Sequence, residues 1–267
     1  MENIKIFDQI DCKDIDIWFP IIHGTNGEDG SIQGLLKFTQ KPFVGSGILG
    51  SALGMDKIVM KLIFSHLKIP QVNFFTIQDR NLDDKNTLHI TCDQIVNKLN
   101  FPLFIKPNEG GSSFGISRIT KRDDIIKSLK KCYKENSDAL IEEEIQGREI
   151  SVGVIFYNNE VTALPPTEII SHNEFFDYNA KYKGQSDEIT PAELDESKIK
   201  EVKSLAIKIY QKLNLRGFTR SDFILKNNQF YFLEVNTNPG LTKESILPQQ
   251  AKAAGININK LFESVLK

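Results

Sequence analysis

The sequence predicts a mixed α/β protein, α+β in its larger part, with more than one sheet. Three observations carry this. Ile15–Ile22 (IDIWFPII) is apolar almost throughout and ends at His23-Gly24, the pattern of a buried parallel strand running into a loop. Ser197–Leu213 places Ile199, Val202, Leu205, Ala206, Ile209 and Leu213 at three-and-four spacing, the stripe of an amphipathic helix. Gly217–Leu225 and Phe230–Asn236 read as strands on either side of Lys226–Gln229, a hairpin signal. Short strands and helices punctuated by Pro and Gly belong to α/β or α+β layers.

The remaining elements follow in chain order. Asn26–Gly30 (NGEDG) is turn chemistry. Asp56 is placed to cap a helix whose inward face is Ile58, Val59, Leu62, Ile63 and Leu67, stopped by Pro70. Pro102–Lys106 (PLFIK) is a short strand running into Pro107. Asp123 or Asp124 caps a helix with Ile125, Ile126, Leu129 and Tyr133 inward. Ala139–Glu144 and Glu149–Tyr157 are strands joined through Gln146-Gly147. In the hairpin, a two-residue loop at Asn227-Asn228 would put Asp222 and Glu234 on opposite faces. A three-residue loop, Lys226-Asn227-Asn228, is therefore expected.

Composition narrows the function classes. The 267 residues are 25% charged and 40% hydrophobic, with a net charge of −2. That leaves no basic field for nucleic acid or for an anionic membrane surface. Cys12, Cys92 and Cys132 are scattered, odd in number and form no C-x-x-C, which excludes a disulfide scaffold and favours a reducing, cytoplasmic setting. No run of 18 apolar residues and no signal peptide is present.

Four constellations could carry chemistry. Lys106-Pro107-Asn108-Glu109-Gly110-Gly111-Ser112-Ser113-Phe114-Gly115 delivers a lysine from a strand into a Gly- and Ser-rich loop. Small residues let backbone N–H groups approach an anion, and the lysine adds a point charge. It lacks the Walker A order, and a plain surface turn is the other reading. Arg220-Ser221-Asp222 and Glu234-Val235-Asn236 bring two carboxylates and an amide oxygen from paired strands, the hard-oxygen set that suits Mg²⁺ beside phosphates; the other reading is an exposed ion-pair cluster. Asn236–Thr242 (NTNPGLT), followed by Ser245-Ile246, ends a strand, turns the chain at Pro-Gly and starts a helix near Thr242, exposing N–H groups to an oxyanion or carboxylate; a plain strand-to-helix turn is the other reading. Phe175–Tyr182 (FFDYNAKY) is either an aromatic loop of the kind used as a lid or a poor strand. His23 alone is more often a structural residue than a catalytic one, but it sits at the carboxyl end of the first expected strand, where ligands gather in open sheets.

Taken together, these motifs closely resemble the D-alanine–D-alanine ligases, which are ATP-grasp enzymes. The resemblance runs from about Asp16 to the C-terminus. It rests on His23-Gly24…Gly27-Glu28-Asp29-Gly30, Gly45-Ser46-Gly47…Met55-Asp56-Lys57, Lys106-Pro107…Gly111-Ser112-Ser113, Asp177–Tyr182, Arg220-Ser221-Asp222 and Glu234–Gly240. It implies an ATP-grasp fold and ATP-dependent joining of two D-alanines through an acyl phosphate, for peptidoglycan synthesis. By resemblance, Lys57, Lys106 and Lys181 contact ATP phosphates, with Ser113 in the glycine-rich loop. Glu142, Glu143 and Ile145 belong to the segment along the adenine, and Glu149 reaches the ribose. Asp222, Glu234 and Asn236 hold two Mg²⁺ or Mn²⁺ ions. Arg220 and the N–H of Gly240 stabilise the oxyanion. Ser245 and the N–H of Ile246 hold the second D-alanine, and His23 sits by the first. Ser112 and Tyr182 join the glycine-rich loop to the lid.

The implied domains are a truncated N-terminal α/β domain over 1–54, a central domain over 55–141 and a C-terminal domain over 142–267. The family places a further strand, a glycine-rich turn with an acidic residue, and a helix before this segment. Met1–Lys13 has no such turn. An uncovered apolar edge is therefore expected at Ile15–Ile22, with Met1–Phe7 or a partner subunit as its cover. A homodimer is a possible assembly. Another ATP-grasp carboxylate–amine ligase and a catalytically impaired nucleotide-binding remnant are the alternative functions.

Overall fold

The computed structural model describes residues 12–77, 85–109, 115–134, 138–171 and 186–266. Helices α1 (Ser31–Phe38), α2 (Ile48–Met55) and α3 (Lys57–His66) lead into β1 (Phe74–Ile77) and α4 (Lys85–Lys98). They are followed by β2 (Leu103–Pro107), β3 (Ser117–Ile119), α5 (Ile125–Lys134) and β4 (Ala139–Glu143). The rest of the chain gives β5 (Arg148–Tyr157), β6 (Glu160–Ala163), β7 (Thr167–Ser171), β8 (Ser186–Ile189) and α6 (Glu196–Lys212). It ends with β9 (Thr219–Lys226), β10 (Gln229–Asn236), α7 (Ile246–Ala253) and α8 (Ile258–Glu263).

These elements build two antiparallel sheets. The smaller has the order β1-β4-β2-β3. Its inner residues Leu103, Ile105, Ile119 and Ile141 pack with Cys92 and Ile95 of α4 and with Ile125, Leu129 and Cys132 of α5. The larger has the order β10-β9-β5-β7-β8, with β6 paired to β5. There α6 lays Val202, Ala206 and Ile209 into a core with Ile150, Val152, Phe223, Phe230 and Phe232. The helical stripe read from the sequence is the buried face of α6. The expected 141/142 division cuts through β4, and the chain crosses between the sheets in residues 144–147.

Three expectations need correction. First, Ile15–Ile22 is not a strand. Its pairing among the described residues is one parallel bridge, Trp18↔Phe43, with Trp18 N–H donating to Pro42 O at 2.9 Å and Val44 N–H to Trp18 O at 2.9 Å. Ile21 and Ile22 are 64% and 48% exposed. An apolar run signals burial, but a strand also needs a ladder partner, and Pro20 has no N–H to offer one. Met1–Phe7 lies outside the described residues.

Second, α3 buries Ile58, Met60, Lys61 and Phe64, while Val59 and Leu62 are exposed. The helix lies between the two sheets, so it buries two sides. Met60 and Phe64 enter the larger sheet's core, with the Phe64 and Phe232 rings edge-to-face at 4.7 Å. Lys61 faces the smaller sheet. The cap itself is as expected: Asp56 Oδ1 accepts the Val59 N–H at 2.8 Å. Asp56→Ala should lower stability by about 1 kcal/mol, read as a drop in the denaturant midpoint.

Third, the hairpin has a two-residue loop. Lys226 pairs with Gln229, and Asn227 and Asn228 have φ of 48° and 66°, the left-handed pair that such a turn requires. The faces are set instead by a β-bulge. Phe232 pairs with Phe223, but Glu234 pairs with Asp222, so Leu233 is the extra residue. One extra residue reverses the alternation beyond it. Phe230 and Phe232 keep to the core, and Glu234 and Asn236 come round to the face of Asp222 and Arg220.

Candidate functional site

The register aligns one face of the larger sheet. Asn236, Arg220 and Gly153 stand in one row across β10, β9 and β5; Glu234, Asp222, Ser151 and Thr167 stand in the next. Asp222 is buried at the centre. Its Oδ1 accepts from Ser151 Oγ at 2.7 Å and from Arg220 Nε at 3.0 Å. Its Oδ2 accepts from Arg220 Nη2 at 2.9 Å and from Asn236 Nδ2 at 3.1 Å. Burial works against the Arg220 charge, but Asp222, then Glu234 and Glu149, outweigh it and hold the guanidinium firmly protonated. Glu149 lies on this same face, opposite Ile224 and Ile169.

Asp222, Glu234 and Asn236 therefore do converge. Among the described residues no three His, Cys, Asp or Glu side chains form a metal-type group. The set here is two carboxylates and an amide, which suits a hard cation whose other ligands are waters and phosphate oxygens.

Helix α7 closes one end of this face. Gln250 is fully buried; its Oε1 accepts the Gly153 N–H at 2.8 Å, and its Nε2 donates to Ser151 O at 2.8 Å and Thr167 Oγ1 at 3.0 Å. A Cβ at residue 153 would lie 2.6 Å from that oxygen, so the row needs glycine. The helix starts at Ile246 with Ser245 as N-cap, later than the expected start near Thr242. Ser245 Oγ instead accepts the Thr242 N–H at 3.1 Å. A Cβ on Gly240 would lie 2.7 Å from Ser245 Oγ, so Gly240, Ser245 and Ile246 are gathered at a helix start rich in N–H groups.

The 236–240 turn is clamped to the 20–28 segment. His23 Nδ1 and Asn238 O are 2.7 Å apart. Asn238 Nδ2 donates to Ile22 O at 2.9 Å. Glu28 joins the two loops, accepting from Gly24 N–H at 2.7 Å and Asn238 N–H at 2.9 Å. Burial raises its carboxyl above the usual range, and those N–H groups partly offset the shift.

The smaller sheet supplies the lysines. Lys106 Nζ lies 2.6 Å from Glu142 Oε2, and Lys61 Nζ lies 2.5 Å from Glu142 Oε1. Burial alone would raise the Glu142 carboxyl; Lys106 and then Lys61 pull it down to about 2. Its contribution to stability is complete above the ordinary value of 4.5 and is lost as pH falls toward 2. Asn108 ties α3 to the end of β2, accepting the Ile58 N–H at 2.8 Å through Oδ1 and the Lys57 ammonium at 3.3 Å through its carbonyl. At the crossing, Glu143 N–H donates to Asn73 O at 3.1 Å and Glu144 N–H to Pro102 O at 2.9 Å. The Glu143 carboxylate accepts from Asn73 and Asn100. Ile145 follows directly in the crossing. Ser112, Ser113, Lys181 and Tyr182, and the aromatic stretch 175–182, lie outside the described residues.

The sequence reading gave no role to Glu28, Lys61, Asn108, Ser151 or Gln250. Glu28 and Asn108 stand inside the quoted motifs. Lys61 is one helical turn after Lys57, which was a usable signal. Ser151 and Gln250 carried none, because their partners are remote in sequence.

Compared with known families, residues 63–267 match the D-ala D-ala ligase C-terminus and residues 2–46 match the D-ala D-ala ligase N-terminus. A D-alanine–D-alanine ligase of Prochlorococcus marinus is 46% identical, with 99% of this chain and 75% of that protein aligned. The chain thus spans about three quarters of that relative's length. A crystal structure of the VanG D-Ala:D-Ser ligase from Enterococcus faecalis superposes with a TM-score of 0.83 at 31% identity, covering 94% of this chain and 72% of that one. The D-alanine–D-alanine ligase from Coxiella burnetii gives 0.79 at 29% identity, covering 94% and 66%.

Proposed function

The chain belongs to the D-alanine–D-alanine ligase family, and we propose how its own residues divide the two steps of that reaction. It is an ATP-dependent enzyme of ATP-grasp fold that joins two D-alanines into D-alanyl-D-alanine for peptidoglycan. The carboxylate of the first D-alanine takes the γ-phosphoryl group of ATP and ADP leaves. The amine of the second then attacks the acyl phosphate, loses a proton, and phosphate departs.

In this reading Lys57 and Lys106 bind phosphate oxygens, with Lys181 and the Ser112-Ser113 loop completing the shell. Residues Glu142–Ile145 border the base, and Glu149 the ribose. Asp222, Glu234 and Asn236 would hold Mg²⁺ or Mn²⁺, two ions, whose charge neutralises the transferred phosphoryl oxygens when bound. Arg220, fixed by both oxygens of Asp222 and standing opposite Asn236, stabilises negative charge on the acyl oxygen, with the Gly240 N–H. Ser245 and the Ile246 N–H take the second D-alanine's carboxylate at the start of α7, where the helix dipole favours an anion. His23, anchored to Asn238, and Glu28 line the first D-alanine's side. By the family's pattern alone, Tyr182 and Ser112 would serve to keep water from the acyl phosphate. Among the described residues no helix is long and apolar enough to cross a membrane. The proposed setting is the cytoplasm.

The observation that carries the reading is the pair of adjacent rows, Arg220 with Asn236 and Asp222 with Glu234, that the bulge brings onto one face. The test is phosphate release from ATP with and without D-alanine. Release that rises at least about tenfold with D-alanine, and not with L-alanine, is expected. Nucleotide binding without D-alanine-dependent turnover would overturn the proposal.

A further inference from the structure

Lys61 is a charged side chain that the proposed chemistry leaves without a task. It is 1% exposed, yet its ammonium lies 2.5 Å from Glu142, which is 4% exposed. The other Glu142 oxygen lies 2.6 Å from Lys106, 22% exposed. One buried carboxylate is thus shared between a sealed cation and a partly exposed one. The strand register builds this arrangement. Phe74 of β1 and Phe104 of β2 both stand opposite Glu142. The Lys61 ammonium lies 5.5 Å from the Phe74 ring centre, and that of Lys106 lies 5.7 Å from the Phe104 ring centre.

The arrangement matters when Lys106 meets an anion. A buried carboxylate whose single cation turns away is left uncompensated, which is strongly unfavourable. With Lys61 in place, Glu142 keeps a counter-charge while Lys106 turns outward. We propose that Lys61 is a positioning residue for nucleotide binding: it compensates Glu142 so that Lys106 can exchange that carboxylate for a phosphate oxygen. This rests on the reading of Lys106 as a phosphate contact.

The neighbouring charges do not replace it. Lys61 faces Glu142 from α3 and Lys106 from β2. From β3, Arg118 donates twice to Glu144, at 2.8 Å each. Lys57 is directed to Asn108. If Lys61 loses its charge, Glu142 must take up a proton when Lys106 leaves it. Binding then becomes linked to one proton and weakens with rising pH, by up to about tenfold per unit.

The experiment is calorimetric binding of MgADP, without D-alanine, from pH 5.5 to 8, to the unsubstituted chain, Lys61→Met, Lys61→Arg and Lys106→Met. The ratio of affinities at each pH cancels the nucleotide's own titration. For Lys61→Met the loss should grow at least about tenfold across the range; for Lys61→Arg the ratio should stay flat. A pH-independent ratio for Lys61→Met, with Lys106→Met clearly weakened, overturns the inference and leaves the phosphate reading standing. Unchanged binding in Lys106→Met overturns the phosphate reading, and the inference with it. Thermal melting reports folding. If Lys61→Met does not fold, Lys61→Gln takes its place with the same expectation. If neither folds while Lys61→Arg does, the charge is purely structural and the inference falls.

Discussion

Glu234→Gln should lower kcat by about a thousandfold or more, with melting temperature little changed. The side chain keeps its size and its place on β10 opposite Asp222, so the sheet is undisturbed. What it loses is one ligand charge beside a triphosphate. A metal's stabilisation of a phosphoryl transition state is worth several kcal/mol, and about 4 kcal/mol is a thousandfold in rate. The check is steady-state ADP formation over a range of Mg²⁺ and Mn²⁺ concentrations. If turnover is normal at ordinary metal concentration, Glu234 is not a metal ligand.

Arg220→Lys should cost kcat about a hundredfold to a thousandfold, the usual loss when one oxyanion donor is removed. The guanidinium reaches both Asp222 oxygens, at 3.0 and 2.9 Å, through two nitrogens held in a fixed plane. A lysine keeps the charge but cannot fork, so the head group is no longer fixed in direction. Asp222 still keeps Ser151 and Asn236 as donors. The fold should therefore survive, and the loss should fall on kcat more than on the KM for ATP. Equal kcat in Arg220→Lys would show that charge alone suffices and that the forked geometry has no catalytic role.

The placement of the candidate site residues was legible in the sequence where it rests on residue type and short spacing. Arg220 and Asp222 are two apart, and so are Glu234 and Asn236, and period-two geometry puts each pair on one side. The α6 stripe was legible for the same reason, because a helix's buried face is a local periodicity. Gly240 and Ser245 stood in one short turn, and the structure brings them together.

What failed to be legible involves a second segment. The hairpin's loop length was deduced from the need to bring Asp222 and Glu234 together. The chain met that need with a bulge at Leu233, which no local pattern announces. Ile15–Ile22 had the composition of a strand, but among the described residues it makes one bridge, Trp18↔Phe43, and no ladder. The α3 helix was read as having one inward face, but it packs between two sheets and buries Lys61 on the second.

By itself, then, the sequence determined the donor types, their order along the chain, the main amphipathic helix and the two-strand frame of the metal-type residues. Those are properties of neighbouring residues, and backbone periodicity converts them directly into faces. Only the tertiary structure decided that Glu142 is shared by Lys61 and Lys106, that Gln250 locks β5 to β7, and that Glu28 joins two loops some 210 positions apart. A buried charge or amide is tolerated only where its partner is supplied from elsewhere in the fold, and packing alone settles where that partner lies.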